Sequence, residues 1–300
     1  MHSTLIIFLD GVGIGDNDPT KNPFFQTSFK FFDEVFGNTP YDENQTIGSN
    51  GKFIFPIDAC MSIEGLPQSG TGQTSIYCGF NASAEIGRHF GPYAHSALKP
   101  LIKENNIFQI FKNRGLEVSF ANAFPQVFFD YINSGKTRLN VTSVMSLDSD
   151  IRFNDVNDLK NGNGLSAEIT NKRWVEKLNY DLPIIEPETA AGRLLKLASQ
   201  NDFTLFEYFH SDHLGHGRLA DDKDQLLNDL DRFLFNILSN IGDEMTLLIC
   251  SDHGNLEDLS IKGHTLNPAI GISAGKSADY LKNNIKHLYD IKPVIMDLYE

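Results

Sequence analysis

The sequence predicts an α/β fold with a mostly parallel central sheet and helices on both faces, and three observations carry that expectation. Short apolar runs rich in β-branched and aromatic residues recur along the chain. Stretches of helical periodicity separate them. Polar residues cluster just past the ends of the runs, where open α/β sheets gather their ligands.

The runs are Thr4 to Leu9, Leu116 to Ala121, Phe203 to Phe209 and Met245 to Cys250, each short enough for a buried strand. Helical patterns cover Phe24 to Phe36, Ile107 to Arg114 closing on Gly115, Pro187 to Ala198, and Leu219 to Ile241 with a stripe of leucine and phenylalanine. Helix followed by strand, repeated, implies parallel pairing with both sheet faces covered. From about 133 to 180 the rhythm breaks, and DSDIRFNDVNDLKNGNG is polar and rich in glycine and asparagine. The expectation is one domain over 1–300 with a small insertion or lid at about 133–180.

Composition narrows the function. A chain of 300 residues, 41% of them hydrophobic, can bury a full core. Its net charge of −14 disfavours nucleic acid and anionic membrane as partners. The first apolar run is too short for a signal segment or a membrane span. Cys60, Cys78 and Cys250 show no CxxC spacing, which argues against a disulfide framework or a thiolate zinc site. A reducing compartment fits, so a cytoplasmic protein is expected.

Asp10 directly follows the first run and precedes GVGIG, which lacks the GxGxxG spacing of a dinucleotide loop. Alone, it reads equally well as an Asp-Gly turn. Histidine placement adds the stronger signal: of nine histidines, five (His210, His213, His216, His253, His264) fall between 210 and 264. HSDHLGH follows one run, SDHGN follows another, and HTLNPA comes shortly after. Two strands thus deliver Asp and His together at their carboxyl ends, and carboxylate with neutral imidazole suits zinc or manganese. Asp10, Asp212, His216, Asp252, His253 and His264 form the candidate ligand set, with His210 and His213 set aside. In GLPQSGTGQTSIYCGF, Ser69 stands at a helix start and is followed by Gly70 and Gly72, which allow close backbone approach. It reads as a helix cap or as a hydroxyl nucleophile beside metal, with Thr71 and Thr74 as rivals.

Taken in order, DGVGIG, QSGTGQTS, DHLGH, SDHGN and HTLNP resemble the alkaline phosphatase superfamily, nearest its branch of cofactor-independent phosphoglycerate mutases and phosphopentomutases. The resemblance covers roughly residues 1 to 125 and 187 to 300. It implies an alkaline phosphatase-like three-layer sandwich with two divalent metal ions, zinc or manganese. Asp212, His216 and His264 would hold one ion, and Asp10, Asp252, His253 and the nucleophile Ser69 the other.

Two departures stand out. The mutases carry a large second domain for which this chain has no room, and Gln73 stands where their motif has histidine. NASAEIGRHFGPYAHSALKPLI and FANAF resemble instead a smaller group of metalloenzymes of similar length. Arg88 and His89 are candidates to bind the rest of the substrate, with Asn81 and Asn22 weaker ones, while Lys99 reads more simply as a surface group.

The expected activity is hydrolysis of a small phosphate ester through a phosphoserine intermediate. The alternatives are a phosphomutase acting on a phosphoglycerate or phosphosugar, and a hydrolase of phosphodiesters, phosphonates or sulfate esters. A sulfatase is disfavoured, since Ser69 lies in no CxPxR-like signature. A non-catalytic metal-binding protein is the remaining alternative.

Overall fold

The four apolar runs form strands β1 (Ser3–Leu9), β4 (Val118–Phe120), β5 (Phe203–Tyr208) and β6 (Met245–Cys250) in a computed structural model that describes residues 2–300. Three further strands, β2 (Ile47–Ser49), β3 (Lys52–Ile57) and β7 (Ala269–Gly275), complete a seven-stranded sheet of order β2-β3-β7-β6-β1-β5-β4. Strands β6, β1, β5 and β4 run parallel, and β7, β3 and β2 extend the sheet antiparallel from β6.

Both faces of the central strands β1, β5 and β6 are buried, as continuous apolar strands require. Along β1, Leu5, Ile7 and Leu9 join one core with Leu194, Leu230 and Phe233 from the helices Pro187–Ser199 and Lys223–Asn240. Ile6 and Phe8 face the opposite core, with Ile76, Tyr77, Phe108 and Phe111. The result is an α/β sandwich of three layers.

The helix expected over Phe24 to Phe36 is broken. A short 3-10 turn, Pro23–Phe25, precedes the four-residue helix Lys30–Asp33. Phe24, Phe29, Phe31 and Phe32 are all buried, so no single apolar stripe organises the stretch. Its second turn starts on a tertiary cap instead: the carboxylate of Asp231 accepts the Lys30 and Phe31 amides at 3.0 Å each.

Between about 133 and 180, the helix Val141–Asp148 packs Val141, Val144 and Met145 into the second core. Leu159 and Trp174, later in the same stretch, join Ala123 and Leu182 in a separate small cluster. No helix among the described residues is long and apolar enough to cross a membrane.

Candidate metal centre

Adjacent parallel strands end level with one another: Leu9 pairs with Tyr208, and Phe8 with Cys250. The residues just past each strand therefore meet at one sheet edge. Asp10 leaves β1 with its amide donating to Tyr208 O at 3.0 Å. Gly11 then turns the chain at φ +66°, where an added Cβ would come within 2.9 Å of Asp212 Oδ1. After β5 the short helix His210–Gly215 carries Asp212 and places His216 one turn on, with Asp212 Oδ1 3.3 Å from His216 Nε2. Asp252 and His253 follow β6 directly, and His264 returns from the next loop.

Six side chains converge in two overlapping sets. In the first, His253 Nε2 lies 3.5 Å from Asp10 Oδ1 and 3.6 Å from Asp252 Oδ1. In the second, Asp212 Oδ1 is reached by His216 Nε2 at 3.3 Å and His264 Nε2 at 3.7 Å. Asp10, Asp252 and His253 offer ligand atoms within 4.8 Å of one another, as do Asp212, His253 and His264. The rings of His253 and His264 stack at 3.7 Å between centroids, which joins the sets.

The imidazoles share one orientation. His216 Nδ1 faces Lys262 O at 3.0 Å, His264 Nδ1 faces Pro67 O at 2.6 Å, and His253 Nδ1 faces Gly254 O at 3.4 Å. A carbonyl only accepts, so each Nδ1 carries a proton, and in the neutral ring this leaves Nε2 as the ligand atom on the side of the carboxylates. Metal-ligating histidines are held in this way.

Burial sets the charge balance. It pushes the Asp10 carboxyl well above the usual carboxylate range, with Asp252 and Asp212 adding to the effect. Asp252 is raised to about 7 by burial and then Asp212, and His253 is lowered to about 3 by burial and then His264. Asp10 Oδ1 is buried without a hydrogen-bond partner. Crowded carboxylates facing unprotonated ring nitrogens are a donor set that divalent cations fit.

Ser69 opens the helix Ser69–Cys78, and its Oγ lies 3.1 Å from His253 Nε2. The helix start packs closely on its surroundings. A Cβ on Gly70 would meet Tyr93 O at 2.3 Å, and one on Gly72 would meet the Asp252 Cβ at 2.9 Å. The rival hydroxyls are tied to backbone: Thr74 donates to Gly70 O at 2.7 Å, and Thr71 accepts from the Phe90 amide at 3.1 Å. Gln73 reaches Asp252 Oδ2 through Nε2 at 3.4 Å.

The proposed substrate residues are placed less directly. Asn81 caps the helix Ala82–Ile86 through the Ala84 amide and donates to Met61 O. His89 spends both ring nitrogens, on Ser83 Oγ at 3.0 Å and Ile63 O at 3.2 Å. Arg88 is exposed beside the loop that approaches the Ser69 helix, where Gly91 would put a Cβ 3.1 Å from Ser69 N. Lys99 donates to Thr137 O, and Asn22 caps the Pro23–Phe25 turn.

Other residues near the site escaped the sequence reading. Asn255 donates from Nδ2 to Asp212 Oδ1 at 2.7 Å and so fixes that carboxylate. Glu207, the one charge inside β5, is fully buried, bonded to Thr142 and Tyr77, and raised to about 8 by burial. A lone acid inside an apolar strand was the available signal.

Comparison with known proteins gives a consistent picture. Residues 179–300 match the family model described as the Metalloenzyme superfamily. The chain is similar in fold to the PH0037 protein of Pyrococcus horikoshii, with TM-score 0.57 and 13% identity over 99% of this chain and 96% of that one. It is also similar to the alkaline phosphatase of the Antarctic bacterium TAB5, with TM-score 0.52 and 13% identity over 99% of this chain and 97% of the other. The cold-active alkaline phosphatase of a psychrophilic Shewanella sp. gives TM-score 0.52 and 13% identity over 98% and 99% of the two chains. No curated protein matches the sequence.

Proposed function

We propose that this chain, a metalloenzyme of the alkaline phosphatase superfamily, is a two-metal phosphohydrolase acting on a small phosphate ester through phosphoserine at Ser69. The observation that carries the reading is the position of Ser69 Oγ, 3.1 Å from the Nε2 of His253, a histidine within ligand reach of both Asp10 and Asp212. Asp10, Asp252, His253 and Ser69 would hold one divalent ion, and Asp212, His216 and His264 the other, with zinc or manganese suited to these donors. When bound, the ions supply Lewis acidity that lowers the pKa of the Ser69 hydroxyl and offsets phosphoryl charge.

Ser69 Oγ attacks phosphorus, forming the Oγ–P bond as the bond to the leaving oxygen breaks, and the proton given up by the Ser69 hydroxyl ends on that oxygen to release the alcohol. Water then cleaves Oγ–P, releasing phosphate and returning a proton to Ser69. Asn255 holds Asp212 in place, and the Nδ1 contacts keep the three imidazoles aimed inward. Arg88 is the group left to meet the non-reacting part of the substrate, because Asn81 and His89 are engaged in local structure.

Hydrolysis is preferred to mutase transfer because residues 1–300 read as one domain, with 133–180 a small insertion too short to close over an intermediate and exclude water. The same core would serve diester, phosphonate or sulfate ester hydrolysis, so the substrate panel includes all of these. The net charge of −14 and the cysteine usage support a cytoplasmic enzyme that binds neither nucleic acid nor membrane. Assaying the purified chain with added Mn²⁺ or Zn²⁺ tests the proposal. Metal-dependent release of phosphate from small monoesters is expected, and inactivity across the panel with both ions bound would overturn it.

A further inference from the structure

Glu257 stands apart from the ligand set, buried in the loop after β6 at 1% exposure. Its Oε2 accepts the Gly13 and Asn255 amides, each at 2.8 Å. Oε1 accepts the Thr265 hydroxyl at 2.5 Å and Asn267 Nδ2 at 3.1 Å. These four donors lie just beyond Asp10, His253 and His264, so one carboxylate ties together the three loops that carry ligands to both ions. Through Asn255 the tie extends to Asp212. With both oxygens doubly engaged, Glu257 has no lone pair to offer a cation.

The glycine pattern has its cause in the same carboxylate. A Cβ on Gly13 would lie 2.6 Å from Glu257 Oε1, one on Gly15 2.8 Å from its Cγ, and one on Gly254 2.3 Å from Oε1. Two glycines of GVGIG and the glycine of SDHGN thus make room for Glu257. None of the three has the positive φ that would require glycine on conformational grounds. We infer that Glu257 is a positioning residue, a clasp that holds the loops bearing Asp10, His253 and His264 at metal-binding distance. The inference rests on the two-metal reading above.

Mn²⁺ binding to the full chain, followed by calorimetry alongside melting of the metal-free protein, tests it. Glu257→Ala should weaken Mn²⁺ binding by about 10- to 100-fold. Its metal-free melting temperature should fall as well, because four donors lose their acceptor, and saturating Mn²⁺ should restore most of the turnover. Glu257→Gln keeps an acceptor for the two amides, and Thr265 and Asn267 can turn to accept from its NH₂. It should bind within about threefold. Glu257→Ala that binds Mn²⁺ within twofold of the unaltered chain, or changes only the melting temperature, overturns the clasp. Should Glu257→Ala not fold, Thr265→Val and Asn267→Ala decide: each removes one donor, and unchanged Mn²⁺ affinity in both also overturns it. A failure of the phosphohydrolase reading looks different, because the unaltered chain would then bind Mn²⁺ and release no phosphate.

Discussion

The two halves of the candidate metal centre are built differently. Asp10, Asp252 and His253 come straight off β1 and β6, with side-chain exposures of 13%, 0% and 0%. Asp212, His216 and His264 stand on a one-turn helix and a returning loop, at 13%, 21% and 8%. Hydrogen-bonded strands fix the first half, and carbonyls of neighbouring loops aim the two histidines of the second, Lys262 O for His216 and Pro67 O for His264. The strand-built half also faces Ser69. Strand anchoring and the nearness of Ser69 coincide on the inner side, whereas the outer half is held by a one-turn helix and a returning loop, elements of the kind that open at lower free energy than core strands. The outer ion should therefore bind more weakly and leave first.

The sharpest way to break this picture is at Ser69. Ser69→Ala should lower kcat by about 10³-fold or more while both ions stay bound. Thr71→Ala and Thr74→Ala should do far less, since their hydroxyls serve the backbone. Steady-state kinetics beside elemental analysis separates these outcomes, and near-normal turnover in Ser69→Ala would move the nucleophile elsewhere.

Next in size is the selective loss of ions. Asp252→Ala should empty the inner position and spare the outer one, whereas His216→Ala should do the reverse, each weakening its own ion by about tenfold or more. Inductively coupled plasma analysis after dialysis reads the occupancies. Both ions at full occupancy in either variant would contradict the division into halves.

The choice of acceptor gives a further check. With a phosphoglycerate or phosphosugar supplied, phosphorus NMR should show free phosphate as the main product. Dominant isomerisation would show that the site shields its intermediate from water.

A further effect, read in stability rather than in turnover or occupancy, concerns the buried acid of β5. Glu207 is held neutral by burial, its folded pKa raised to about 8 from the ordinary 4.5. Because the unfolded chain releases this proton first, the group makes the metal-free protein lose stability as pH rises from about 4.5 to 8, by up to about 1.4 kcal/mol per unit. Glu207→Gln keeps an oxygen acceptor for Thr142 and Tyr77 and removes the slope. Urea denaturation of both metal-free proteins between pH 6.5 and 8 should show stability falling more steeply in the unaltered chain. Parallel curves would mean that Glu207 is ionised in the fold.

Much of this architecture could be read from the sequence, for a physical reason. β1, β5 and β6 are buried on both faces, so they appear as unbroken apolar runs, and the polar residues just past them stand out. The antiparallel strands could not be read in the same way. β3 contains Pro56, and β7 is AIGISAG, where Gly271 leaves space that the Phe55 ring fills. Cross-strand packing explains these residues, and periodicity does not reveal it. At the site, the Asp and His positions were legible as a cluster. The roles of Asn255 and Glu257 were not, because a carboxylate in NLEDLS resembles any surface acid until the donors around it are seen.

Strand ends and loops together should hold a two-ion centre. Anomalous diffraction from crystals grown with Mn²⁺ or Zn²⁺, combined with elemental analysis of the same preparation, tests it most directly. Two ions per chain are expected, one among Asp10, Asp252, His253 and Ser69 and one among Asp212, His216 and His264. A single ion, or ions bound away from these residues, would contradict it.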